Sequence, residues 1–498
     1  MPKHILENYA NGTWRPVRST SSVDVTNPAT GEVLAVHPMS NADDVDEVVA
    51  SAADAFGTWR RVPVPQRAAT LFRYRHLLTA ATAELAEIIT TENGKTLAES
   101  RGELVRAIEY VEHAAAAPET MKGAVTENIG IGVDIEYVRE PLGPFAIVAP
   151  FNFPAMIPLY FTWAVATGNT VVIKPSEHCP LTTIRMVELA EEAGFPPGVV
   201  NVLLGEANAV DALAVHPDVA GMSFVSSSEI AKLVYARVSS ALKRCQAQGG
   251  ANNHLVVTDS AVLDACLPNM VSSMFGNASQ RCFAGSNLLV YRAVYDQVVE
   301  RLVNASKSLV LGNGMDADVT LGPVISEQAR SRLVVAVQEA ERAGARVLAD
   351  GRDATVEQYP RGHWFGPTIV EAVPTSAVWT TELFGPVRCI AAVDGFEEAM
   401  SVINASEFGH SAVIYTELGG EARRFRQEAV VGQIGINIGT PAPIAFYPVG
   451  GRRASFYGSL RGRAEDAVDF YTDKKVVVST WHADTSSVAS VDPAFEGR

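Results

Sequence analysis

The chain has 498 residues, of which 47% are hydrophobic and 19% charged, enough for a large core and two or three domains. Its formal net charge is −16, from 40 Lys and Arg against 56 Asp and Glu. This balance argues against binding of duplex nucleic acid, because a phosphate backbone is held by clustered lysine and arginine side chains. A local basic pocket for a small anionic ligand remains compatible with it.

The cysteines predict neither a disulfide framework nor a zinc site, because they are odd in number, scattered and without a CxxC pair. This usage fits a reducing compartment. The segment from Met1 to Asn11 has no apolar signal core, and no apolar run is long enough to span a bilayer. We therefore expect a soluble, cytoplasmic protein. The polar, small residues after Trp481 predict a flexible tail over 483–498.

The first predicted elements are a hairpin and a group of helices. The string TNPATGEVL, near the start of the chain, indicates turns and a hairpin. From Asn41 to about Ala117, apolar residues such as Val45, Val48 and Val49 recur at spacings of three and four. This period is typical of amphipathic helices.

From Gly143 the pattern changes to short apolar runs that alternate with amphipathic stretches. The predicted strands are Phe145–Ala149, Thr170–Ile173, Val199–Leu203 and Met222–Val225. The predicted helices are Pro158–Ala166, Thr182–Ala193 and a segment that begins at Ser228. Such alternation predicts a parallel sheet with helices on both faces and ligands at the carboxyl ends of its strands.

A second α/β series begins at about Leu255. Its predicted strands are Leu288–Tyr291, Val387–Val393, Val413–Thr416 and Gln433–Asn437. A last strand, Lys474–Thr480, is rich in β-branched residues and is expected to pair across subunits. No GxGxxG string follows any of these strands, so the usual dinucleotide fingerprint is absent. Two α/β domains of an enzyme are the simplest interpretation.

Four short strings narrow this interpretation. They are Pro150-Phe151-Asn152-Phe153-Pro154, Lys174-Pro175-Ser176-Glu177, Ser279-Gln280-Arg281-Cys282 and Glu382-Leu383-Phe384-Gly385-Pro386. In order and spacing, the chain resembles the aldehyde dehydrogenase superfamily over nearly its whole length, through Asp469-Phe470-Tyr471-Thr472. Accidental agreement of four strings in register is improbable, whereas one string alone is a weak signal.

The resemblance implies the α/β aldehyde dehydrogenase fold. A Rossmann-like NAD-binding domain would comprise residues 1–122 and 143–249, and an α/β catalytic domain residues 250–463. A small β oligomerisation arm would comprise residues 123–142 and 464–482. By analogy the chain would form a homodimer or homotetramer, with a small-molecule aldehyde as its other partner.

The resemblance makes Cys282 the nucleophile. A thiolate attacks an aldehyde carbon to give a thiohemiacetal oxyanion, which then expels hydride to a nicotinamide ring. The other four cysteines are interpreted as small buried hydrophobic residues. Asn152 is the oxyanion candidate, because its amide donors stabilise negative charge without losing a proton.

The resemblance also implies the NAD-binding residues. Lys174 and Glu177 would bind the adenosine ribose hydroxyls, and the Glu177 carboxylate would favour NAD over NADP. Glu382 would hold the nicotinamide ribose, with Phe384 against the nicotinamide. The remaining cofactor-binding candidates are Phe151, Ser226 and Ser227. Ser226 departs from the glycine of most relatives, and its Cβ would hinder close approach of the pyrophosphate.

A second departure from the family pattern concerns the step that releases the acyl group from the nucleophile. Hydrolytic relatives carry Glu-Leu-Gly-Gly, whose glutamate activates water, whereas this chain reads Ala247-Gln248-Gly249-Gly250. Ala247 cannot take a proton, but the thiol of coenzyme A, with a pKa of about 8.5, ionises in part at neutral pH without a base. We therefore hypothesise acyl transfer to coenzyme A. The surrounding strings, Gly-Gly-Ala-x-Asn-His and Gln-Arg-Cys, are most similar to coenzyme-A-acylating methylmalonate semialdehyde dehydrogenases.

That subfamily implies malonate or methylmalonate semialdehyde as substrate, with loss of the carboxyl group. Arg281 and Arg106 match its two carboxylate-binding arginines, and paired guanidinium groups suit a carboxylate. The alternative for Arg106 is an ion pair with Glu103 or Glu109 on one helical turn. Two further departures lie nearby, where relatives carry glycine: Ala107 and Ser279.

Three other functions stay open from the sequence. The enzyme could acylate coenzyme A from an uncharged aldehyde such as propanal. It could hydrolyse the thioacyl enzyme, with Glu382 replacing the missing base. From a different class, it could be an inactive structural relative that keeps the fold without turnover, against which the joint presence of Cys282, Asn152, Lys174 and Glu177 argues.

Overall fold

The computed structural model describes residues 4–481. Up to residue 248 the elements are β1 (Asn8–Ala10), β2 (Thr13–Arg15), β3 (Ser22–Thr26), β4 (Val33–Pro38), α1 (Ala42–Trp59), α2 (Val64–Ala80), α3 (Thr82–Asn93), α4 (Leu97–Ala115), α5 (Ala117–Thr120), β5 (Ala124–Gly130), β6 (Val133–Pro141), β7 (Pro144–Val148), α6 (Pro158–Ala166), β8 (Thr170–Lys174), α7 (Leu181–Glu192), β9 (Val200–Val202), α8 (Ala207–Val215), β10 (Gly221–Val225), α9 (Ser228–Ser240) and β11 (Arg244–Gln248). The predicted hairpin is the β3–β4 pair, and the predicted bounds of the strands and helices up to residue 248 agree with the structure to within one residue.

From residue 253 a second series follows. Its elements are β12 (Asn253–Val257), α10 (Leu263–Phe275), β13 (Gly285–Tyr291), α11 (Tyr295–Lys307), α12 (Glu327–Arg342), β14 (Arg346–Ala349), β15 (Thr368–Glu371), α13 (Ala377–Thr380), β16 (Val387–Val393), α14 (Phe396–Ala405), β17 (Ser411–Tyr415), α15 (Gly419–Glu428), β18 (Gln433–Ile436), β19 (Phe456–Tyr457), α16 (Glu465–Tyr471) and β20 (Thr472–Thr480).

The first sheet has the strand order β19-β11-β10-β7-β8-β9-β1-β2. Its five inner strands, from β11 to β9, are parallel. Along β7, Phe145 and Ile147 enter one buried apolar cluster and Ala146 and Val148 another, so helices cover both faces as predicted. The chain passes from β7 to β8 and β9, then returns to β10 on the other side of β7. This reversal is a topological switch point, where ligands bind in open α/β sheets.

The second sheet has the order β14-β15-β16-β13-β12-β17-β18, and all its strands are parallel except β14. Its strands also alternate between two apolar clusters: along β12, Leu255 and Val257 enter one and Val256 the other. The two sheets therefore each have their own covered core.

A separate three-stranded antiparallel sheet, in the order β20-β6-β5, contains the predicted last strand. It pairs with β6 of its own chain from Thr472 opposite Pro141 to Thr480 opposite Val133. The predicted tail, 483–498, lies outside the described residues. Among residues 4–481 no helix has the length and apolarity that a membrane crossing requires.

Candidate active site

A cavity of about 1490 Å³ lies between the two large sheets. It is lined by residues that directly follow β7, β8, β10 and β11 and by residues that directly precede β13, β16 and β17. The first sheet therefore presents its carboxyl edge to the cavity and the second sheet its amino edge. All the predicted site residues line this cavity: Arg106, Phe151, Asn152, Lys174, Glu177, Ser226, Ser227, Arg281, Cys282, Glu382 and Phe384.

The loop before Cys282 has an unusual backbone. Asn277, Ala278 and Ser279 have φ angles of 53°, 46° and 60°, in the left-handed region. Such a conformation costs an L-residue about 1–2 kcal/mol, and glycine avoids this cost. The positive φ of Ser279 is thus a physical reason for glycine at this position in relatives. Here the Ser279 hydroxyl donates to the Met274 carbonyl and helps to hold the turn.

Cys282 follows this turn and is fixed through its backbone. The Asn253 amide donates to the carbonyl oxygens of Cys282 and Ala284, at 2.8 and 2.9 Å. Burial, and then the nearby Glu382 carboxylate, raise the pKa of the Cys282 thiol to about 12, although backbone N–H groups at Cys282 and Phe283 oppose this shift. The protonated thiol is therefore the resting form at neutral pH, and a nucleophilic thiolate at this position would have to form during a reaction.

Asn152 is held against the nucleophile loop. Its Nδ2 donates to the Gln280 carbonyl at 2.9 Å, and its own backbone carbonyl accepts from Lys95 Nζ at 2.7 Å. One of the two Nδ2 hydrogens is thus engaged within the protein. The second is available to an oxygen in the cavity.

A buried ion pair that the sequence analysis missed supports this arrangement. Lys95 Nζ lies 2.6 Å from Glu103 Oε2, and both side chains are almost fully buried. Glu103 Oε1 accepts from the Ala155 N–H at 2.7 Å, so the pair holds the loop that carries Asn152 at both ends. Glu103 lies on the buried face of α4 with Ala107, where a charged residue is rare, and this was the available sequence signal.

Lys174 and Glu177 meet at the end of β8. Lys174 Nζ lies 3.2 Å from Glu177 Oε2. Burial lowers the pKa of Lys174, whereas burial of Glu177 is outweighed by the Lys174 charge, which keeps the pKa of Glu177 below its usual value. The Lys174 nitrogen and the Glu177 carboxylate offer a donor and an acceptor to a pair of ligand hydroxyl groups.

Beside them, apolar side chains form a slot at the same end of the cavity: Val210, Phe224, Ile230 and Leu233. Ile230 and Leu233 are exposed on α9 and contribute to this slot rather than to the core. Ser226 and Ser227 form the turn into α9, and the Ser226 N–H donates to the Gln248 carbonyl at 3.1 Å. An apolar slot, a Lys–Glu pair and a helix N-terminus together fit an adenine, a ribose and a phosphate, so the residues fit a dinucleotide.

Glu382 and Phe384 form the wall between this slot and Cys282. Glu382 Oε1 accepts from the Ala251 N–H at 2.8 Å, and burial raises the pKa of Glu382 to about 7. A Cβ on Gly250 would lie 2.1 Å from Glu382 Oε2, so a larger residue there would displace the Glu382 carboxylate. Phe384 has a φ of 51°, an outlier for an aromatic residue, and packs edge-on against Phe151 with ring centroids 5.9 Å apart. Such strain is found mainly at functional sites.

The two predicted carboxylate-binding arginines are already paired. Arg106 Nη1 lies 2.7 Å from Glu109 Oε2, which is the ion pair considered as the alternative in the sequence analysis. Arg281 Nη2 lies 3.0 Å from Glu99 Oε1. Each guanidinium therefore faces the cavity with part of its charge already matched.

Two of the departures from the family pattern lie away from the cavity. Ala247 is fully buried in β11, in the apolar cluster that contains Phe224. Ala107 lies on the buried face of α4 and is fully buried in the core. Neither side chain lines the cavity. Arg463 and His410, which no sequence pattern indicated, do line it near Cys282.

Comparison with known proteins agrees with this fold. Residues 14–477 match the aldehyde dehydrogenase family. The chain belongs to this family. Malonate-semialdehyde dehydrogenase 2 of Geobacillus kaustophilus (strain HTA426) is 43% identical over 479 residues, which cover 96% of this chain and 99% of the relative.

Two solved structures are also similar to this chain in fold and in sequence. A protein from Sinorhizobium meliloti 1021, assigned as a methylmalonate-semialdehyde dehydrogenase and crystallised with NAD, has a TM-score of 0.95 at 34% identity and covers 97% of this chain and 99% of its own. The methylmalonate-semialdehyde dehydrogenase DddC from Oceanimonas doudoroffii has a TM-score of 0.94 at 36% identity, with the same coverage of 97% and 99%.

Proposed function

We propose that this chain is an NAD-dependent, coenzyme-A-acylating dehydrogenase of a short aldehyde that carries a carboxylate, such as malonate or methylmalonate semialdehyde. The observation that carries the proposal is one cavity that holds the Cys282 thiol and the Asn152 amide at one end and the Lys174–Glu177 pair at the other. The names of the relatives support the substrate class.

In the first half-reaction, the Cys282 thiol gives its proton to water, its sulfur bonds to the aldehyde carbon, and the π electrons of the C=O bond move to oxygen. Asn152 Nδ2 donates to this oxyanion. Collapse of the oxyanion re-forms the C=O bond and releases a hydride, which leaves a thioester on Cys282. NAD, when bound, accepts this hydride. Lys174 and Glu177 bind the ribose hydroxyls of its adenosine, and the Glu177 carboxylate disfavours the 2′-phosphate of NADP.

We further propose that Glu382 holds the second ribose and that Phe384 and Phe151 pack beside the nicotinamide. Ser226 and Ser227 would lie next to the pyrophosphate at the start of α9. Because the Ser226 N–H already donates to Gln248, we expect the phosphates to be held by other N–H groups of this helix start.

In the second half-reaction, the acyl group passes from Cys282 to the sulfur of coenzyme A, and the Cys282 thiolate is released. The carboxyl group leaves as carbon dioxide, or after addition of water as bicarbonate, and a proton from water replaces it on carbon. The resemblance assigns Ala247 to the position of the water-activating glutamate in hydrolytic relatives, but its side chain is buried in β11 outside the cavity. The next residue, Gln248, does line the cavity, and its amide cannot remove a proton from water. Coenzyme A needs no such base, since its thiol has a pKa of about 8.5.

One observation favours a second candidate, hydrolysis. Glu382 is the carboxylate that acts electrostatically on Cys282, and its pKa of about 7 suits a general base. Against this, its Oε1 is engaged by the Ala251 N–H.

The test is NADH formation from malonate semialdehyde with and without coenzyme A. We expect a burst of one NADH per active site without coenzyme A and sustained turnover only after its addition, because the thioester accumulates until a thiol removes it. Sustained turnover without coenzyme A that disappears in Glu382→Gln would instead establish hydrolysis. No burst and no NAD binding would indicate an inactive structural relative.

The substrate class has its own control. If propanal is oxidised as efficiently as malonate semialdehyde, the enzyme belongs to the alternative class that acts on uncharged aldehydes. Arg281 and Arg106 are our family-based candidates for the carboxylate, although their ion pairs with Glu99 and Glu109 reduce the charge that each can offer.

We propose the domain division expected from the sequence: 1–122 with 143–249 as the NAD-binding domain, 250–463 as the catalytic domain, and 123–142 with 464–482 as an arm that joins subunits. The arm sheet supports this role, because the register places Val476 and Val478 on one face with Tyr137 and Ile135. Val476 and Val478 are 62% and 56% exposed. Such an apolar face, with the free edge of β20, suits a second copy of the chain.

The double variant Val476→Lys/Val478→Lys is expected to shift the protein from a dimer or tetramer to single chains, because buried lysines at a subunit contact would be unpaired. Light scattering after size-exclusion chromatography measures the mass. Val335→Lys, at an exposed position on α12, is the control and should leave the mass unchanged. An unchanged mass in the double variant would contradict the assignment of the arm.

A further inference from the structure

Arg463 is a buried cation without a carboxylate partner. Its side chain is 3% exposed and lines the cavity. Its Nη1 donates to the Tyr110 hydroxyl at 2.7 Å, and its Nη2 and Nε donate to the Tyr447 carbonyl at 2.9 and 3.2 Å. No Asp or Glu among residues 4–481 pairs with it. A buried charge that nothing neutralises is costly, so an anion that enters the cavity would stabilise this site.

The Arg463 guanidinium also has N–H groups that make no hydrogen bond within the described residues. Of its five N–H groups, the Tyr110 and Tyr447 oxygens engage three. One hydrogen remains on each terminal nitrogen. Two such donors can bind the oxygens of a carboxylate.

His410 provides a second, independent observation. Its side chain is 4% exposed and lines the same cavity, and its Nε2 has no hydrogen-bond partner among the described residues. The ring packs on Phe283, directly after the nucleophile, with centroids 4.3 Å apart. Burial, and then the Arg463 charge, lower the pKa of His410 to about 4. A neutral imidazole with a free ring nitrogen thus lies beside the arginine.

Both groups lie at the nucleophile end of the cavity. Arg463 and Cys282 interact electrostatically, and Arg463 acts on His410 in the same way. Arg106 and Arg281, by contrast, are matched by Glu109 and Glu99. An anionic substrate on Cys282 would have to compete with a carboxylate at each of those arginines, but not at Arg463.

We propose that Arg463, together with His410, binds the carboxylate of the aldehyde substrate and determines the preference for an anionic aldehyde. The proposal rests on the proposed function and adds to it the site of carboxylate recognition. The guanidinium contributes its two free N–H groups and its unmatched charge. The imidazole contributes a third hydrogen bond from the side of Phe283.

The experiment compares kcat/KM for malonate semialdehyde with kcat/KM for propanal in the full-length enzyme with NAD and coenzyme A. Arg463→Gln is expected to lower the ratio of the two values by about 10- to 100-fold, the range of a lost charge-assisted hydrogen bond. Arg461→Gln is the matched control: it removes the same charge two residues earlier, from a side chain that faces Asp466 and does not line the cavity. Its ratio should stay within about twofold of the wild-type ratio.

The outcomes separate the hypotheses. A wild-type ratio near one would defeat the proposed substrate class itself. A large wild-type ratio that Arg463→Gln preserves, while Arg281→Gln abolishes it, would overturn only the assignment to Arg463. An equal loss for both aldehydes would also overturn it, since this indicates an effect on Cys282 rather than on the carboxylate. Should Arg463→Gln not fold, as judged by its thermal melting, His410→Leu carries the same test: it should lower the ratio several-fold, and an unchanged ratio would overturn the two-residue site.

Discussion

Replacing Cys282 with alanine is expected to reduce kcat for NADH formation by on the order of 10⁴–10⁶-fold, as removal of a nucleophile does in other covalent enzymes. Without the sulfur no thiohemiacetal forms, so there is no tetrahedral intermediate from which a hydride can be transferred. NADH formation in a single turnover with saturating aldehyde and coenzyme A measures the effect. Binding of NAD, followed by quenching of protein fluorescence, should persist, because the Lys174–Glu177 pair and the apolar slot are unchanged in this variant.

Cys266→Ala is the matched control for this variant. Cys266 is buried in α10, outside the cavity, and its thiol faces apolar neighbours. Its replacement should lower the melting temperature slightly and leave kcat within a few-fold. If both variants lost activity to the same extent, or if Cys282→Ala still produced a burst, Cys282 would not be the nucleophile.

Lys95→Met is expected to reduce the free energy of unfolding by about 3–5 kcal/mol at neutral pH, because it leaves the Glu103 carboxylate buried without its cation. The variant also removes the hydrogen bond to the Asn152 carbonyl. We therefore expect kcat to fall in the protein that remains folded, while the affinity for NAD changes little. Urea unfolding measures the stability, and steady-state kinetics below the melting range measures kcat.

The pH dependence of this loss identifies its cause. Burial already raises the pKa of Glu103, and Lys95 opposes that shift, so removal of Lys95 raises the pKa further. A carboxyl group whose pKa is higher in the folded than in the unfolded chain binds more protons in the folded state. The amount by which it lowers the free energy of unfolding therefore decreases as the pH falls. The deficit of Lys95→Met should be smaller at about pH 5.5 than at about pH 7.5. The double variant Lys95→Met/Glu103→Leu should recover most of the stability at the higher pH, and failure of both tests would mean that lost packing, not charge, explains the deficit.

Most of the fold could be predicted from the chain itself. The bounds of α6 and β16 are those expected, Pro158–Ala166 and Val387–Val393, because each is an apolar run, interrupted only by Thr162 or Arg388, that ends at a change of pattern. The hairpin near the start of the chain was also predicted correctly. Strand ends were less certain, since hydrogen bonding with a neighbour decides where a strand stops. Lys174, for example, is the last residue of β8 because it pairs with Val148 of β7.

The candidate site could be predicted from the sequence only in part. Motifs that resemble a family carried Cys282, Asn152 and the cofactor-binding candidates, and all of them line one cavity. The same resemblance could not show that Arg106 and Arg281 are paired with Glu109 and Glu99. An ion pair between distant segments, such as Arg281 with Glu99, leaves no trace in local pattern.

The sequence by itself determined the alternation of strands and helices and the family, and it supplied Cys282 as the candidate nucleophile, because periodicity and short motifs are local properties. Only the tertiary structure decided which charges are matched. It brought Lys95 to Glu103 beneath the Asn152 loop, and it left Arg463, near Cys282, without a carboxylate partner among residues 4–481. The physical reason is that the energy of a buried charge depends on every group around it, and these groups come from segments that only folding brings together.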